Sequence, residues 1–389
     1  MKVSRRSHVP AFAVMEILAA ANQRRAQGRD VLNLCAGEPS TGASDVVRAR
    51  AIELLRAGDL GYTEALGVPA LRDAIAGHYR RWYDVEVDPA RIAVTTGSSG
   101  GFVLAFLAAF DVGDRVAVAR PGYPAYKNIL TALGCEVVEL DCGPDTRYQP
   151  TVSQLMAAYY DGGLDGLLVA SPANPTGTMI APGELDAVAR WCGEHDVRLI
   201  SDEIYHGIAY GGDVHQASAA VYADLGAVVV NSFSKYWAMT GWRLGWLVLP
   251  TELVSPVSAL AGNVALSPPA LAQHAGIAAL SPEGYEAAAA NVERYAASRA
   301  ALLARAPELG WDPVAPADGA FYLYGNIAAT GLDAVTYCAR LLEEADVALT
   351  PGADFDAVAG HEWVRLSFAA APETVTRAAD RIAAWQRTL

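Results

Sequence analysis

Short apolar segments alternate with longer helical patterns through the middle of the chain. Seven of these segments predict strands: Ile92–Thr95, Arg115–Ala119, Glu136–Leu140, Leu167–Ala170, Arg198–Ser201, Ala227–Asn231 and Leu244–Leu249. Several are apolar on both faces, which is typical of a largely parallel sheet that helices cover on both sides. Strands that alternate with helices indicate βαβ units. We therefore expect an α/β fold around a mostly parallel seven-stranded sheet.

The pattern changes in the carboxyl-terminal part of the chain. An alanine-rich helical pattern runs from Pro282 to about Leu309. Apolar and polar positions then alternate at 320–324 and at 363–368, as they do in strands that have one buried face. These segments predict a smaller sheet that is packed with helices.

The amino terminus resembles a secretory signal only in part. Basic residues precede an apolar stretch from Val9 to Ala21, but Glu16 interrupts it, and Met15 and Leu18 fall at helical spacing. An amphipathic helix followed by a short strand near Val31–Leu34 explains the pattern better. No uninterrupted apolar run approaches the length that spans a membrane, and we expect a cytoplasmic protein.

The length of 389 residues allows two domains. We expect a large domain at residues 45–280 and a smaller α+β domain that combines residues 1–44 with residues 281–389. The net charge of −14 argues against nucleic acid or an anionic membrane as a partner. The five cysteines are odd in number and form no C-x-x-C pair, so neither a disulfide framework nor a zinc site is indicated.

Lysine is rare, because only Lys2, Lys127 and Lys235 accompany the 26 arginines among the 29 basic residues. A primary amine condenses with an aldehyde, and a guanidinium does not. A lysine at a strand end is usually just solvated, but Lys235 follows two serines and precedes a Gly-x-Arg-x-Gly run. These neighbours favour a Schiff-base lysine, whereas Lys2 and Lys127 are expected at the surface.

Unusual polar groups follow the predicted strands, where ligands bind in open α/β sheets. The small residues at 96–101 open a helix, whose free N–H groups and dipole favour an anion. Tyr123, Asn174 and Asp202 each follow another strand, and Tyr123 has the shape to lie against a planar ring. Neither a dinucleotide fingerprint nor a P-loop is present, which argues against a nucleotide-dependent enzyme.

Together these groups resemble the fold-type I pyridoxal-phosphate enzymes, specifically the class I/II aminotransferases. The resemblance spans the chain from Gly37 to Arg365 and rests on motifs in the order of that family. They are G-Y-x-x-x-x-G at 61–67, P-G-Y-P at 121–124, N-P-T-G at 174–177, D-E-x-Y at 202–205, S-x-S-K at 232–235, G-x-R-x-G at 241–245 and V-R-L-S at 364–367.

The resemblance implies pyridoxal phosphate as the cofactor and assigns roles to residues around its ring. Lys235 would form the Schiff base with the aldehyde, and Asp202 would pair with the pyridine nitrogen. Tyr205 and Asn174 would bond the phenolic oxygen of the ring. Tyr123 would stack on the face of the ring.

The resemblance also implies a phosphate site, a substrate site and a dimer. The residues that would hold the phosphate are Ser98, Ser99, Gly100, Ser232 and Arg243. Tyr62 would reach the phosphate of the neighbouring subunit in a homodimer with shared active sites. Arg365 would bind the substrate α-carboxylate as a bidentate partner, together with Gly37 and Asn174.

The implied reaction is transamination between an L-amino acid and a 2-oxo acid, in which Lys235 carries the α-proton. Elimination or oxidase-type chemistry on the same fold and cofactor is an alternative, and a binding protein without turnover is another. Some aspartate-specific relatives carry a lysine where this chain has Ser99. The absence of a lysine at this position, with Phe12 and Cys35 nearby, favours a neutral or aromatic donor.

Overall fold

A computed structural model describes residues 1–11, 13–58, 60–211 and 214–389. The α-helices in these ranges are α1 (Ala13–Ala26), α2 (Asp45–Ala57), α3 (Pro69–Tyr83), α4 (Gly97–Ala109), α5 (Pro124–Leu133), α6 (Val152–Tyr160), α7 (Pro182–Glu194), α8 (Thr251–Val264), α9 (Ala270–Ala279), α10 (Pro282–Arg305), α11 (Ala334–Ala345) and α12 (Pro372–Gln386). The strands are β1 (Leu32–Asn33), β2 (Ile92–Thr95), β3 (Arg115–Arg120), β4 (Glu136–Asp141), β5 (Gly166–Ala170), β6 (Arg198–Asp202), β7 (Val228–Ser232), β8 (Gly245–Val248), β9 (Tyr322–Asn326), β10 (Val347–Ala348), β11 (Thr350–Pro351) and β12 (Trp363–Ser367).

The seven strands predicted for the middle of the chain form one sheet in the order β2-β8-β7-β6-β5-β3-β4. Neighbours from β7 to β4 are paired in parallel, and β8 is antiparallel to both of its neighbours. The sheet is therefore mostly parallel, and the predicted α/β fold is confirmed.

Alternate residues of each central strand enter two different hydrophobic cores. Val229 of β7 packs in one core, and its neighbours Val228 and Val230 pack in the other. Leu199 and Ile200 of β6 divide in the same way. Because both faces are covered, these strands have no polar face, which explains their continuous apolar sequences.

The second unit joins the two ends of the chain. Strands β11, β12 and β9 form an antiparallel sheet, in which Arg365 is opposite Tyr324 and Ser367 is opposite Tyr322. Strand β1, near the amino terminus, pairs in parallel with β10. The smaller α+β part built from both termini is thus present, and the exact division at residues 45–280 stays a prediction.

Element ends differ from the predicted ones by a few residues. The strand expected at 320–324 is β9, which begins at Tyr322 because Ala320 has a left-handed backbone (φ 55°). The long helix α10 ends at Arg305, and Pro307 lies in the 3-10 turn that follows it. Among the described residues, no helix is both long enough and apolar enough to span a membrane.

Candidate active site

A cavity of about 420 Å³ opens where the carboxyl ends of the central strands face the second unit. Ten of the residues that the sequence singled out line it: Gly37, Ser98, Ser99, Tyr123, Asn174, Asp202, Tyr205, Lys235, Arg243 and Arg365. Parallel strands end at a common edge, so side chains that follow different strands meet there. Arg365 comes from β12 of the other sheet and closes the cavity from the opposite side.

Lys235 lies three residues beyond the end of β7. Its Nζ donates to the carbonyl oxygen of Gly37 at 2.6 Å and lies 5.7 Å from the ring centroid of Tyr205. Burial, and then the positive charge of Arg365, lower the pKa of this amine to about 8. A larger fraction of Lys235 than of an ordinary lysine is therefore neutral and nucleophilic near neutral pH.

Asp202 is the last residue of β6, and its side chain is buried. Oδ2 accepts a hydrogen bond from the Tyr126 hydroxyl, and Oδ1 accepts one from the Ile204 N–H at 3.0 Å. Burial raises the pKa of this carboxyl to about 6 despite these donors. A cation bound beside it would lower that pKa again, so the site favours a positively charged partner.

Arg365 is 3% exposed, and the acceptors of its hydrogen bonds in the described chain are all neutral. Nη1 donates to Oδ1 of Asn174 at 2.8 Å, and Nη2 donates to the Cys35 carbonyl at 2.6 Å and to the Thr350 hydroxyl at 3.3 Å. Nε has no hydrogen-bond partner among the described residues. A buried guanidinium without a counter-ion is costly, and an anionic ligand would relieve that cost.

A second positive corner lies at the start of α4. Gly97 has φ 71°, and a Cβ on it would lie 2.9 Å from Cζ of Arg243, so only glycine permits this close approach. Arg243 donates to the Thr240 carbonyl at 2.8 Å. The Thr96 side chain makes no capping bond, which leaves the first backbone N–H groups of α4 available for an anion.

Three predicted residues are not part of the cavity lining. Gly100 lies within the first turn of α4, and Ser232 is fully buried, with its hydroxyl 2.8 Å from Oγ of Ser234. Tyr62 is 86% exposed at the surface. Phe12, expected near the substrate, lies outside the described residues.

Several lining residues had not been singled out from the sequence. Tyr126 bonds Asp202, and Tyr322 bonds Tyr205 with 2.6 Å between the two hydroxyl oxygens. Tyr126 lies in the first turn of α5, three positions after Tyr123, and the two ring centroids are 5.3 Å apart. No local pattern marks Tyr322. Val14, Met15, Leu18 and Ile129 add an apolar part to the lining.

Residues 29–382 match the family model of aminotransferase class I and II. This chain belongs to that family. It is an aminotransferase, and the family in general uses pyridoxal phosphate. The resemblance inferred from the motifs is therefore confirmed.

The aminotransferase is similar to proteins and structures that match it over nearly its full length. It is 52% identical over 385 residues to a valine–pyruvate aminotransferase of Mycobacterium tuberculosis, a match that covers 99% of this chain and 98% of the relative. It is 36% identical to an aspartate/prephenate aminotransferase of Thermus thermophilus, with 95% of both chains covered. A crystal structure of an aminotransferase from M. tuberculosis superimposes with a TM-score of 0.97 at 50% identity and covers 100% of both chains.

Proposed function

We propose that this protein catalyses pyridoxal-phosphate-dependent transamination between a neutral L-amino acid and a 2-oxo acid, with Lys235 as the residue that binds the cofactor aldehyde. One observation carries the proposal. A single cavity holds an amine of lowered pKa, a buried carboxyl of raised pKa and a buried guanidinium whose hydrogen-bond acceptors among the described residues are all neutral. These are the groups needed to bind an aldehyde, a ring nitrogen and a carboxylate.

The residues present fit the cofactor. The corner formed by Ser98, Ser99, Arg243 and the first turn of α4 offers hydroxyl, guanidinium and backbone donors to a phosphate. Ser232 would act there through Ser234, which its hydroxyl contacts. The close packing of Gly97 against Arg243 holds the guanidinium over the helix terminus. This corner, the Lys235 amine and the Asp202 carboxyl would thus bind the phosphate, the aldehyde and the ring nitrogen of the cofactor, respectively.

When bound, pyridoxal phosphate would supply an aldehyde that reacts with amines and a ring that accepts electrons from the substrate α-carbon. Asp202 would pair with the protonated ring nitrogen, and this positive charge would keep the carboxyl ionised. Tyr205 and Asn174 would hold the phenolic oxygen, and Tyr123 would lie on the face of the ring. All four of these side chains line the cavity.

The chain's own residues would also orient the substrate and move its proton. Arg365 would bind the α-carboxylate, because it is buried and its Nε has no hydrogen-bond partner in the described part of the chain. Asn174, which already contacts Arg365, would be shared between substrate and cofactor. Lys235, once displaced by the substrate amine, would take the α-proton as a base, since its lowered pKa keeps a neutral fraction available.

The lining of the cavity supports a neutral donor. Its described cations are Lys235, Arg243 and Arg365, and each already has a role in the proposal. The apolar part of the lining, formed by Val14, Met15, Leu18 and Ile129, suits an aliphatic or aromatic side chain. The name of the relative from M. tuberculosis points the same way and makes L-valine with pyruvate the first pair to test.

We also infer a homodimer in which Tyr62 serves the partner's active site. Tyr62 is a largely exposed aromatic residue, and Leu60, Val264 and Leu266 are exposed apolar residues close to it in sequence or across the Thr63–Ser267 hydrogen bond. Arg243 lines the cavity and is exposed in the single chain, and a second subunit would cover it. The division at 45–280, with 1–44 and 281–389 in the smaller domain, belongs to the same proposal.

All five cysteines are buried and free. Buried free thiols persist in a reducing compartment, which supports the cytoplasm as the location. The acidic net charge remains in keeping with small-molecule substrates and not with nucleic acid.

The test is the visible spectrum of the purified holoprotein, recorded before and after single L-amino acids are added. We expect the yellow band of the lysine-linked cofactor, and we expect L-valine to bleach it while 3-methyl-2-oxobutanoate forms. Lys235→Arg should remove both the band and the turnover, because a guanidinium does not condense with an aldehyde. Lys127→Arg, whose lysine pairs with Glu139 at the surface, is the matched control and should leave both intact.

The same experiment separates the rival reactions. Release of ammonia while the yellow band persists would show that the protein catalyses elimination and not transamination. Production of hydrogen peroxide at the expense of oxygen would indicate an oxidase-type reaction. Absence of the band in the wild-type protein supplied with pyridoxal phosphate would end the case for Lys235.

A further inference from the structure

Tyr322 joins two parts of the active site that come from different sheets. It is the first residue of β9, and its side chain is 1% exposed. Its hydroxyl oxygen lies 2.6 Å from that of Tyr205, and the centroid of its ring lies 4.5 Å from Cζ of Arg365. The Tyr322 side chain therefore contacts both Tyr205, which is predicted to bind the cofactor ring, and Arg365, which is predicted to bind the substrate carboxylate.

The position of Tyr322 also explains why residue 37 is a glycine. A Cβ on Gly37 would collide with the Tyr322 hydroxyl and would lie 3.1 Å from its Cζ. The Gly37 carbonyl accepts the hydrogen bond from Lys235. The ring of Tyr322 thus occupies the space beside the backbone segment that holds the amine.

The two phenols have one proton each, and only one of these protons lies between the two oxygens. If Tyr205 donated to Tyr322, it would have no proton left for a ligand oxygen in the cavity. If Tyr322 donates, the Tyr205 proton is free to point into the cavity, and accepting a hydrogen bond makes Tyr205 a stronger donor.

We propose that Tyr322 is a positioning residue of the active site, whose hydroxyl donates to Tyr205 and whose ring supports Arg365. The inference rests on the proposed function, since it assigns Tyr205 a ligand oxygen and Arg365 a carboxylate. The two effects are separable because they use different parts of one side chain.

The hydroxyl is tested by Tyr322→Phe, which keeps the ring under Arg365. The loss of its donor makes Tyr205 a weaker donor to the phenolic oxygen of the cofactor. The lysine linkage next to that oxygen then holds its proton more tightly. We expect the pH midpoint of the visible band to rise, while the KM for L-valine stays close to that of the wild type.

The ring is tested by Tyr322→Leu, which removes both the hydroxyl and the aromatic face. We expect the same shift of the midpoint and, in addition, a rise in the KM for L-valine of about tenfold, because a desolvated cation–π contact is lost. Tyr324→Phe is the matched control. Tyr324 is a buried tyrosine two residues further along β9 that stacks on Trp363, and its variant should change neither quantity.

A double-mutant cycle shows whether the effect passes through Tyr205. Tyr205→Phe should raise the midpoint by more than Tyr322→Phe does, and adding Tyr322→Phe to Tyr205→Phe should produce no further rise. Equal shifts in both backgrounds would show that Tyr322 acts by another route and would overturn the inference.

The outcomes distinguish this inference from the proposed function. A wild-type protein without a visible band fails the proposed function, and this inference falls with it. A wild-type protein with a normal band, whose midpoint is unchanged in Tyr322→Phe and whose KM is unchanged in Tyr322→Leu, fails this inference alone. Thermal melts of each variant confirm that the folded protein is being compared.

Discussion

The Lys235 ammonium group donates to the carbonyl oxygen of Gly37, with 2.6 Å between nitrogen and oxygen. This bond joins the turn after β7 to the segment after β1, which are 198 residues apart in sequence. An amine that condenses with an aldehyde must first lose its proton and this bond. The reactivity of Lys235 therefore depends on a hydrogen bond that crosses from one unit of the molecule to the other.

The first prediction concerns the pH dependence of cofactor attachment. The neutral amine is the nucleophile, and the pKa of Lys235 is lowered to about 8. In the apoprotein, the rate of formation of the yellow band should therefore rise roughly tenfold per pH unit below that value and level off above it. Stopped-flow absorbance with added pyridoxal phosphate measures this profile. A rise that continues to pH 10 or higher would show that burial does not activate this lysine.

The second prediction concerns the stability of the apoprotein and Asp202. The folded-state pKa is raised from 3.8 to about 6. The group's contribution to stability is thus present below pH 4 and is lost as the pH rises through 6. Asp202→Asn replaces the carboxylate by a neutral amide of similar shape and should stabilise the apoprotein at pH 7 by about 1–3 kcal/mol. Its melting temperature should also vary less than that of the wild type between pH 4 and pH 6.

The same variant should lose most of its activity, because a neutral amide does not keep the ring nitrogen protonated. Asp145→Asn, at an exposed position, is the control and should change neither stability at pH 7 nor activity. A less stable Asp202→Asn apoprotein would mean that the charge of Asp202 is well satisfied before the cofactor binds.

The third prediction concerns the shared active site. Tyr62→Ala and Lys235→Ala should each be impaired, for different reasons. In a mixed dimer, the subunit that keeps Lys235 would receive an intact Tyr62 from its partner, so one complete site forms. Mixing the two variants under conditions of subunit exchange should restore activity to about a quarter of the wild-type level per site. No recovery in a sample shown to contain mixed dimers would mean that Tyr62 serves its own subunit or none.

The fourth prediction concerns the choice of donor. Ser99 is exposed and lines the cavity. Ser99→Lys would place a cation there and should raise kcat/KM for L-aspartate relative to L-valine by about tenfold or more, since a second carboxylate gains a charged partner. Ser99→Met has a similar length without charge and is the control. An equal change in both variants would assign the effect to shape and not to charge.

The sequence predicted the large sheet well because each central strand is buried on both faces. The continuous apolar character of β5 and β7 is a local signal, and it survives in any packing that covers both sides. The same reasoning located the cavity, since the residues that follow parallel strands share one edge. Lys235, Asp202 and Asn174 were found in this way and lie together in the structure.

Residues that reach the cavity from other elements had weaker signals or none. Arg365 was assigned through a family motif and not through its spacing. Tyr322 was missed because its role depends on a contact between β9 and the turn after β6, which no periodicity encodes. The apolar lining from α1 was missed for the same reason, although the helix itself was expected.

The sequence by itself determined the order of the strands along the chain, the covered faces of the central sheet and the reactive groups at its edge. These properties depend on residue type and short-range spacing. Only the tertiary structure decided which groups touch: the amine of Lys235 and the carbonyl of Gly37, the phenols of Tyr205 and Tyr322, and the guanidinium of Arg365 between two aromatic rings. The first two contacts join residues that are more than one hundred positions apart, and they form only when the two units pack against each other. The rings beside Arg365, those of Tyr322 and Phe355, come from its own unit.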